Sequence, residues 1–158
     1  MNSCILFATS RNCGGLSLIE VLMAMAIFAT LMSIAVPAYQ KYADAKDVVL
    51  AKQEIVVISA AIDRYFTSQS RYPDSLADVG MHNKTDPWGN VYVYLNLSDP
   101  PYSGTPRKDG KLHPVNSDYD LYSVGKDGMT KPPFNNSKSR DDIVRANNGK
   151  FIGLAAEY

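Results

Sequence analysis

Residues 16–36 read LSLIEVLMAMAIFATLMSIAV. At ~1.5 Å per residue, this run makes a helix of ~32 Å, about the thickness of the hydrocarbon core of a bilayer. One charge, Glu20, interrupts it. A carboxylate inside a membrane segment costs several kcal/mol on most scales, so it points to a task and a partner. A plain anchor accounts for the length but not for the acid. A secretory signal peptide accounts for the N-terminal position, and Ser33-Ile34-Ala35 offers a small-x-small cleavage site. Against it, Glu20 breaks the apolar stretch and Pro37 follows closely.

The whole chain has 158 residues, enough for one domain and an accessory segment. Lys+Arg and Asp+Glu both number 16, so the formal net charge is zero. No basic field is present to draw in nucleic acid, and no nucleic-acid partner is expected. Cys4 and Cys13 both precede the apolar run. Everything after it lacks the means for a disulfide, and a small exported domain then needs another staple, such as a metal or assembly.

Beyond Pro37 the helix is expected to bend and continue. Val48, Ala51, Ile55, Ile58, Ile62 and Tyr65 or Phe66 recur at spacings of three and four, with Lys46, Asp47, Lys52, Glu54 and Asp63 between them. This is an amphipathic half that packs on a globular head. It fades near residues 68–70, before Arg71-Tyr72-Pro73. A short helical turn is expected over 74–79, then strands over 91–95, 119–124 and 151–154. Residues 99–116 hold Pro100, Pro101, Pro106, Pro114, Gly104 and Gly110, and read as an exposed loop. The resulting fold class is α+β: one long N-terminal helix, half membrane and half amphipathic, on a small antiparallel sheet.

Chemical motifs are sparse. His82 and His113 are far apart and have no cysteine nearby. No nucleophile elbow, P-loop or dinucleotide fingerprint occurs, so an enzyme is not expected. Trp88 after Asp86-Pro87 reads as a core plug for a turn, and Tyr92, Tyr94 and Tyr122 as packing residues of a half-buried sheet.

Gly14-Gly15 before Leu16-Ser17-Leu18-Ile19-Glu20 resembles the leader junction of type IV prepilins. Counted from Leu16, the acid is residue five and Pro37 is residue 22, both in register with that family. The resemblance implies a pilin-like fold and three segments: a leader over 1–15 that is removed, a membrane and filament-core helix over 16–36, and a periplasmic head over 37–158. A prepilin peptidase would cut between Gly15 and Leu16 and methylate the Leu16 amine. Glu20, with Pro37, would serve assembly: the carboxylate pairs with the Leu16 ammonium of a neighbouring subunit, which penalises wrong register.

Arg71-Tyr72-Pro73, Asp86-Pro87-Trp88-Gly89-Asn90 and Asp120-Leu121-Tyr122-Ser123-Val124-Gly125-Lys126-Asp127-Gly128 are similar to the head of the major pseudopilins of type II secretion. That resemblance implies a structural subunit held first in the inner membrane and its lipid, then in a homo-oligomeric helical filament in the periplasm that drives protein export. Its partners would be minor pseudopilins, an inner-membrane assembly platform and the peptidase. The other reading is a type IV pilus subunit for adhesion, motility or DNA uptake. Residues 98–117 are a longer link than that family uses, and the tail after Asp142 also departs from it.

The same resemblance implies a structural Ca2+ ion. Its ligands would be the carbonyl of Val124 and the carboxylates of Asp127, Asp141 and Asp142. The residue types suit a hard cation, since calcium takes six to eight oxygens and a glycine-rich turn exposes carbonyls.

Overall fold

The computed structural model describes residues 15–110 and 112–158. Cys4, Cys13 and the leader up to residue 14 lie outside them. The chain divides into two units, residues 1–41 and 42–158.

A single helix, α1 (Leu18–Gln69), runs through both, with Pro37 inside it. In the first unit it is apolar on every side. Leu18, Leu22, Met25, Phe28 and Met32 are all exposed, and its most apolar window has a mean hydropathy of 2.2 with nothing buried. Such a surface is stable only in lipid or against other helices. Pro37 has no N–H to donate, but the helix continues past it as expected.

The second unit holds the last turns of α1 and four strands: β1 (Val93–Asn96), β2 (Tyr119–Ser123), β3 (Ile143–Ala146) and β4 (Phe151–Leu154). They form an antiparallel meander in the order β1-β2-β3-β4, with Tyr94 opposite Leu121, Tyr122 opposite Val144 and Ile143 opposite Leu154. Ala51, Ile55, Ile58 and Ile62 of α1 are completely buried and meet Leu76, Tyr92, Tyr119, Leu121 and Ile143. Val48 is half-buried beside them, whereas Phe66 is exposed and stacks on Tyr72 at 4.4 Å.

The opposite face of the sheet is covered too. Val144 and Ala146 pack with Val115, Phe134 and Ala155, flanked by Tyr122 and Phe151. This corrects the reading of residues 99–116 as an exposed loop. Arg107, Val115 and Asn116 are buried, and Asn116 Nδ2 donates to Asp120 Oδ1 at 2.8 Å and to the Arg145 carbonyl at 3.0 Å. β3 escaped the sequence reading because all four of its residues are buried, so no polar-apolar alternation marks it. Residues 74–79 form turns rather than a helix, closed by Asp78 Oδ2, which accepts from the Asp74 and Ser75 N–H groups.

The ridge of α1 residues predicts a large local cost for truncation. Ile58→Ala in the full chain should destabilise the head by ~2–5 kcal/mol, the usual range for an Ile to Ala cavity. Urea unfolding in detergent measures it. A loss below ~1 kcal/mol would mean that Ile58 is not packed as described.

Candidate assembly and cation sites

The first turn of α1 brings Ser17 and Glu20 together. The Ser17 carbonyl accepts from the Val21 N–H, which makes Ser17 the helix cap. Its Oγ accepts from the Ile19 N–H at 3.2 Å, and Glu20 Oε2 accepts from the Ser17 N–H at 2.9 Å. Ser17-x-x-Glu20 is therefore a capping box, in which two backbone donors are satisfied reciprocally. The carboxylate also sits at the positive end of the helix dipole. The S-x-x-E spacing was present in the sequence and was passed over there, because Glu20 was weighed as a charge in lipid and as the partner of a neighbour's Leu16 ammonium. Gly15 and Leu16 precede the cap, and Leu16 is exposed.

In the head, the Asp-Pro-Trp-Gly-Asn block is one hydrogen-bonded turn. Asp86 Oδ1 accepts from the Trp88 N–H at 3.0 Å and the Asn90 N–H at 2.8 Å. Ser123 Oγ donates to Asp86 Oδ2, and Asn90 Nδ2 donates to the Gly125 carbonyl at 2.9 Å. The two motifs that looked separate in sequence hold each other. Trp88 packs on the core from its edge, consistent with its reading as a plug. The sheet tyrosines are likewise committed to packing: Tyr92 Oη donates to Glu54 at 2.7 Å and Tyr94 Oη to the Pro73 carbonyl at 2.8 Å.

The loop that follows β2 carries three of the four expected cation ligands near each other in space. Gly125 has φ +70°, and a Cβ there would lie 2.5 Å from the Asp141 carbonyl oxygen. This contact explains the glycine by close approach as well as by conformation. The Asp127 N–H donates to Asp141 Oδ2 at 3.1 Å, and the Met129 N–H donates to Asp127 Oδ1 at 2.7 Å. Val124 is the residue between β2 and this turn.

Asp142, next in the chain, has different partners. It is fully buried and bound to Arg107, whose Nη2 donates to Asp142 Oδ2 at 2.6 Å. Thr130 Oγ1 donates to the same oxygen at 2.6 Å. Arg107 Nη1 donates to Thr130 Oγ1 and, at 2.9 Å, to the Lys131 carbonyl. The guanidinium lies over the Tyr122 ring at 4.4 Å and the Phe134 ring at 5.1 Å. Burial pushes the Asp142 carboxyl up to about 6, against the opposing pull of Thr130 and Arg107.

The expected calcium shell of Val124, Asp127, Asp141 and Asp142 does not fit this geometry. The carboxylates do not converge, and no group of three acidic, histidine or cysteine residues positioned for a metal occurs among the described residues. Asp142 Oδ1 has no hydrogen-bond partner among them. A divalent ion there would share this carboxylate with the Arg107 guanidinium, and the two like charges would repel each other. Sequence reasoning missed Arg107 and Thr130. Nothing marks Arg107 in the sequence, since it lies in a segment whose prolines and glycines dominate its reading.

A second buried arginine has a purely structural setting. Arg145 reaches Asp118 at 2.9 and 2.6 Å and stacks over Tyr119 at 3.9 Å. It lines a hollow of about 290 Å³ beside α1 with Ser59, Asp63 and Asn148. With its charge already paired, it does not serve a reactive constellation.

Comparison with known proteins finds one matching family model and several relatives. Residues 10–36 match the model of the prokaryotic N-terminal methylation motif. The type II secretion system core protein G of Pseudomonas aeruginosa is 29% identical over 139 residues, covering 75% of this chain and 87% of that protein. The protein of the same name from Aeromonas hydrophila is 27% identical, over 75% of this chain and 86% of its own length. That from Dickeya chrysanthemi is 25% identical, over 75% of this chain and 81% of its own. No solved structure matches the chain significantly.

The close approach at Gly125 gives a test of the loop. Gly125→Ala puts a methyl against the Asp141 backbone at a positive φ, and should cost at least ~1–3 kcal/mol. Hydrogen exchange over residues 124–142 reads it as lost protection in that segment first. Unchanged protection would show that the turn and Asp141 are not in contact.

Proposed function

We propose that the chain, a type IV pilin-like protein, is a structural subunit of a type II secretion pseudopilus. The observation that carries this reading is the combination of the methylation motif over residues 10–36 with relatives named for type II secretion along 75% of the chain. The role asks for packing and register rather than catalysis.

Residues 1–15 act as a leader, cleaved between Gly15 and Leu16 so that the freed Leu16 amine is methylated. Residues 16–36 anchor the subunit in the inner membrane with the N-terminus cytoplasmic and the head, residues 37–158, periplasmic. Arg11 and the initiator amine precede the span, on the side that this orientation makes cytoplasmic. Subunits leave the bilayer for a filament with minor pseudopilins on an inner-membrane assembly platform. The apolar surface of α1 then exchanges lipid for neighbouring helices.

Glu20 has a local partner before this exchange and a distant one after it. The Ser17 N–H, which the cap engages, is not altered by cleavage at Leu16. The carboxylate is therefore never wholly unsatisfied in the membrane, which lowers the cost of keeping an acid there. In the filament the Leu16 ammonium of a neighbour supplies a full countercharge. A subunit out of register leaves that charge unpaired, so the pair acts on specificity more than on net stability. Pro37 removes one helix hydrogen bond and so gives α1 a point at which to adapt its curvature.

Deleting the gene and comparing culture-supernatant proteins with the parent strain tests the reading. A set of folded exported proteins should disappear from the medium and accumulate in the periplasm, and Glu20→Ala should reproduce the defect. An unchanged supernatant with loss of surface fibres would instead make the chain a pilus subunit.

A further inference from the structure

We infer that Arg107 is the built-in cation of the head: its guanidinium staples the segment 98–117 to the C-terminal loop and makes a bound divalent ion unnecessary. The inference rests on the geometry around Asp142, and on the subunit reading only for what the staple must withstand.

Asp142 is the one buried acid that links the end of the 130–140 segment to β3. An uncompensated buried carboxylate is strongly unfavourable, so a cation must meet it. Arg107 meets it from 35 residues away in sequence. The arginine fork does more than neutralise. It bonds Asp142, Thr130 and the Lys131 carbonyl together, while the Arg107 backbone N–H donates to Asp120 Oδ2 at 2.6 Å. Four separate positions, Asp120, Thr130, Lys131 and Asp142, are thus held by one residue. A divalent ion would gather oxygens from the same loop, and the guanidinium does so with directional N–H groups instead.

The surroundings suit a permanent organic cation. Tyr122 and Phe134 flank the guanidinium, and aromatic faces favour a weakly hydrated planar cation over a strongly hydrated point charge. Arg107 is 2% exposed, so its charge cannot be exchanged with solvent ions. Asp127 and Asp141 are left to shape the turn through backbone N–H groups. A chain without cysteine after residue 13 therefore still has a cross-link between distant segments, one that needs neither oxidation nor a metal supply.

The test is thermal melting of the full chain in detergent, followed by circular dichroism, with excess calcium, excess magnesium or EDTA. The three melting temperatures should agree within about 1 °C, because an ion that does not bind the native state cannot shift it. A rise of about 5 °C or more with calcium alone would overturn the inference, and would leave the subunit reading standing with a metal-locked head. Arg107→Met should lower the melting temperature by about 10 °C in all three buffers. The double variant Arg107→Met/Asp142→Leu should recover part of that loss, since no charge is then left buried alone. Should Arg107→Met fail to accumulate, Arg107→Lys gives the same reading: one ammonium cannot hold three acceptors at once, so a measurable loss is expected. Wild-type melting of either single variant, or rescue of either by calcium, refutes the staple. Secretion by the deletion strain separately tests the subunit reading.

Discussion

A four-stranded sheet has two faces, and the ridge of Ala51, Ile55, Ile58 and Ile62 covers only one of them. The other face carries Tyr122, Val144 and Ala146, which water would leave exposed at a cost proportional to apolar area. Much of the head follows from covering it. Residues 98–117 and the segment before β3 are laid across that face, and they bring Val115 and Phe134 as lids. Backbone laid over a core must satisfy its own polar groups. Arg107, Asn116 and Thr130 do this by bonding Asp120, Asp142, Lys131 and Arg145. The buried polar network is thus the consequence of sealing a second apolar face with irregular chain.

The two units meet opposite demands. The N-terminal half of α1 keeps its apolar side chains outward because its solvent is lipid or a neighbouring helix, and its one acid is held by a cap. The head keeps apolar groups inside and gives its buried acids, Asp86, Asp120 and Asp142, hydrogen-bond donors. Asp86 closes the turn 86–90 and receives Ser123; Asp141 receives Asp127; Asp142 receives Arg107. The acids that suggested a metal loop in the sequence have separate partners: Asp127 accepts from the Met129 N–H, Asp141 from the Asp127 N–H and Asp142 from Arg107.

Legibility in the sequence followed the range of the interactions. The long apolar segment, the amphipathic ridge and strands β1, β2 and β4 were readable because each is written in neighbouring residues. Helix spacing is local, and so is the alternation of Tyr119 to Ser123. The capping box was readable as well, from Ser17 and Glu20 three residues apart, although the cost of a charge in lipid drew attention away from it. β3 was not readable, because burial on both faces erases alternation. Part of the segment 99–116, around Arg107 and at Val115 and Asn116, was misread as exposed because prolines and glycines describe its backbone and say nothing of what lies beneath it.

By itself, the sequence determined that residues 16–36 form an apolar run long enough to cross a membrane, that an acid lies five residues after Gly15, and that an α+β head follows. These are properties of contiguous residues under a fixed helix rise and a fixed solvent cost, so order along the chain is enough. Only the tertiary structure decided which cation meets Asp142. Residue types near Asp142 were compatible with an ion bound by oxygen. The choice fell to Arg107, 35 residues away, because covering the far face of the sheet places that side chain between Tyr122 and Phe134 and aims its fork at the buried carboxylate.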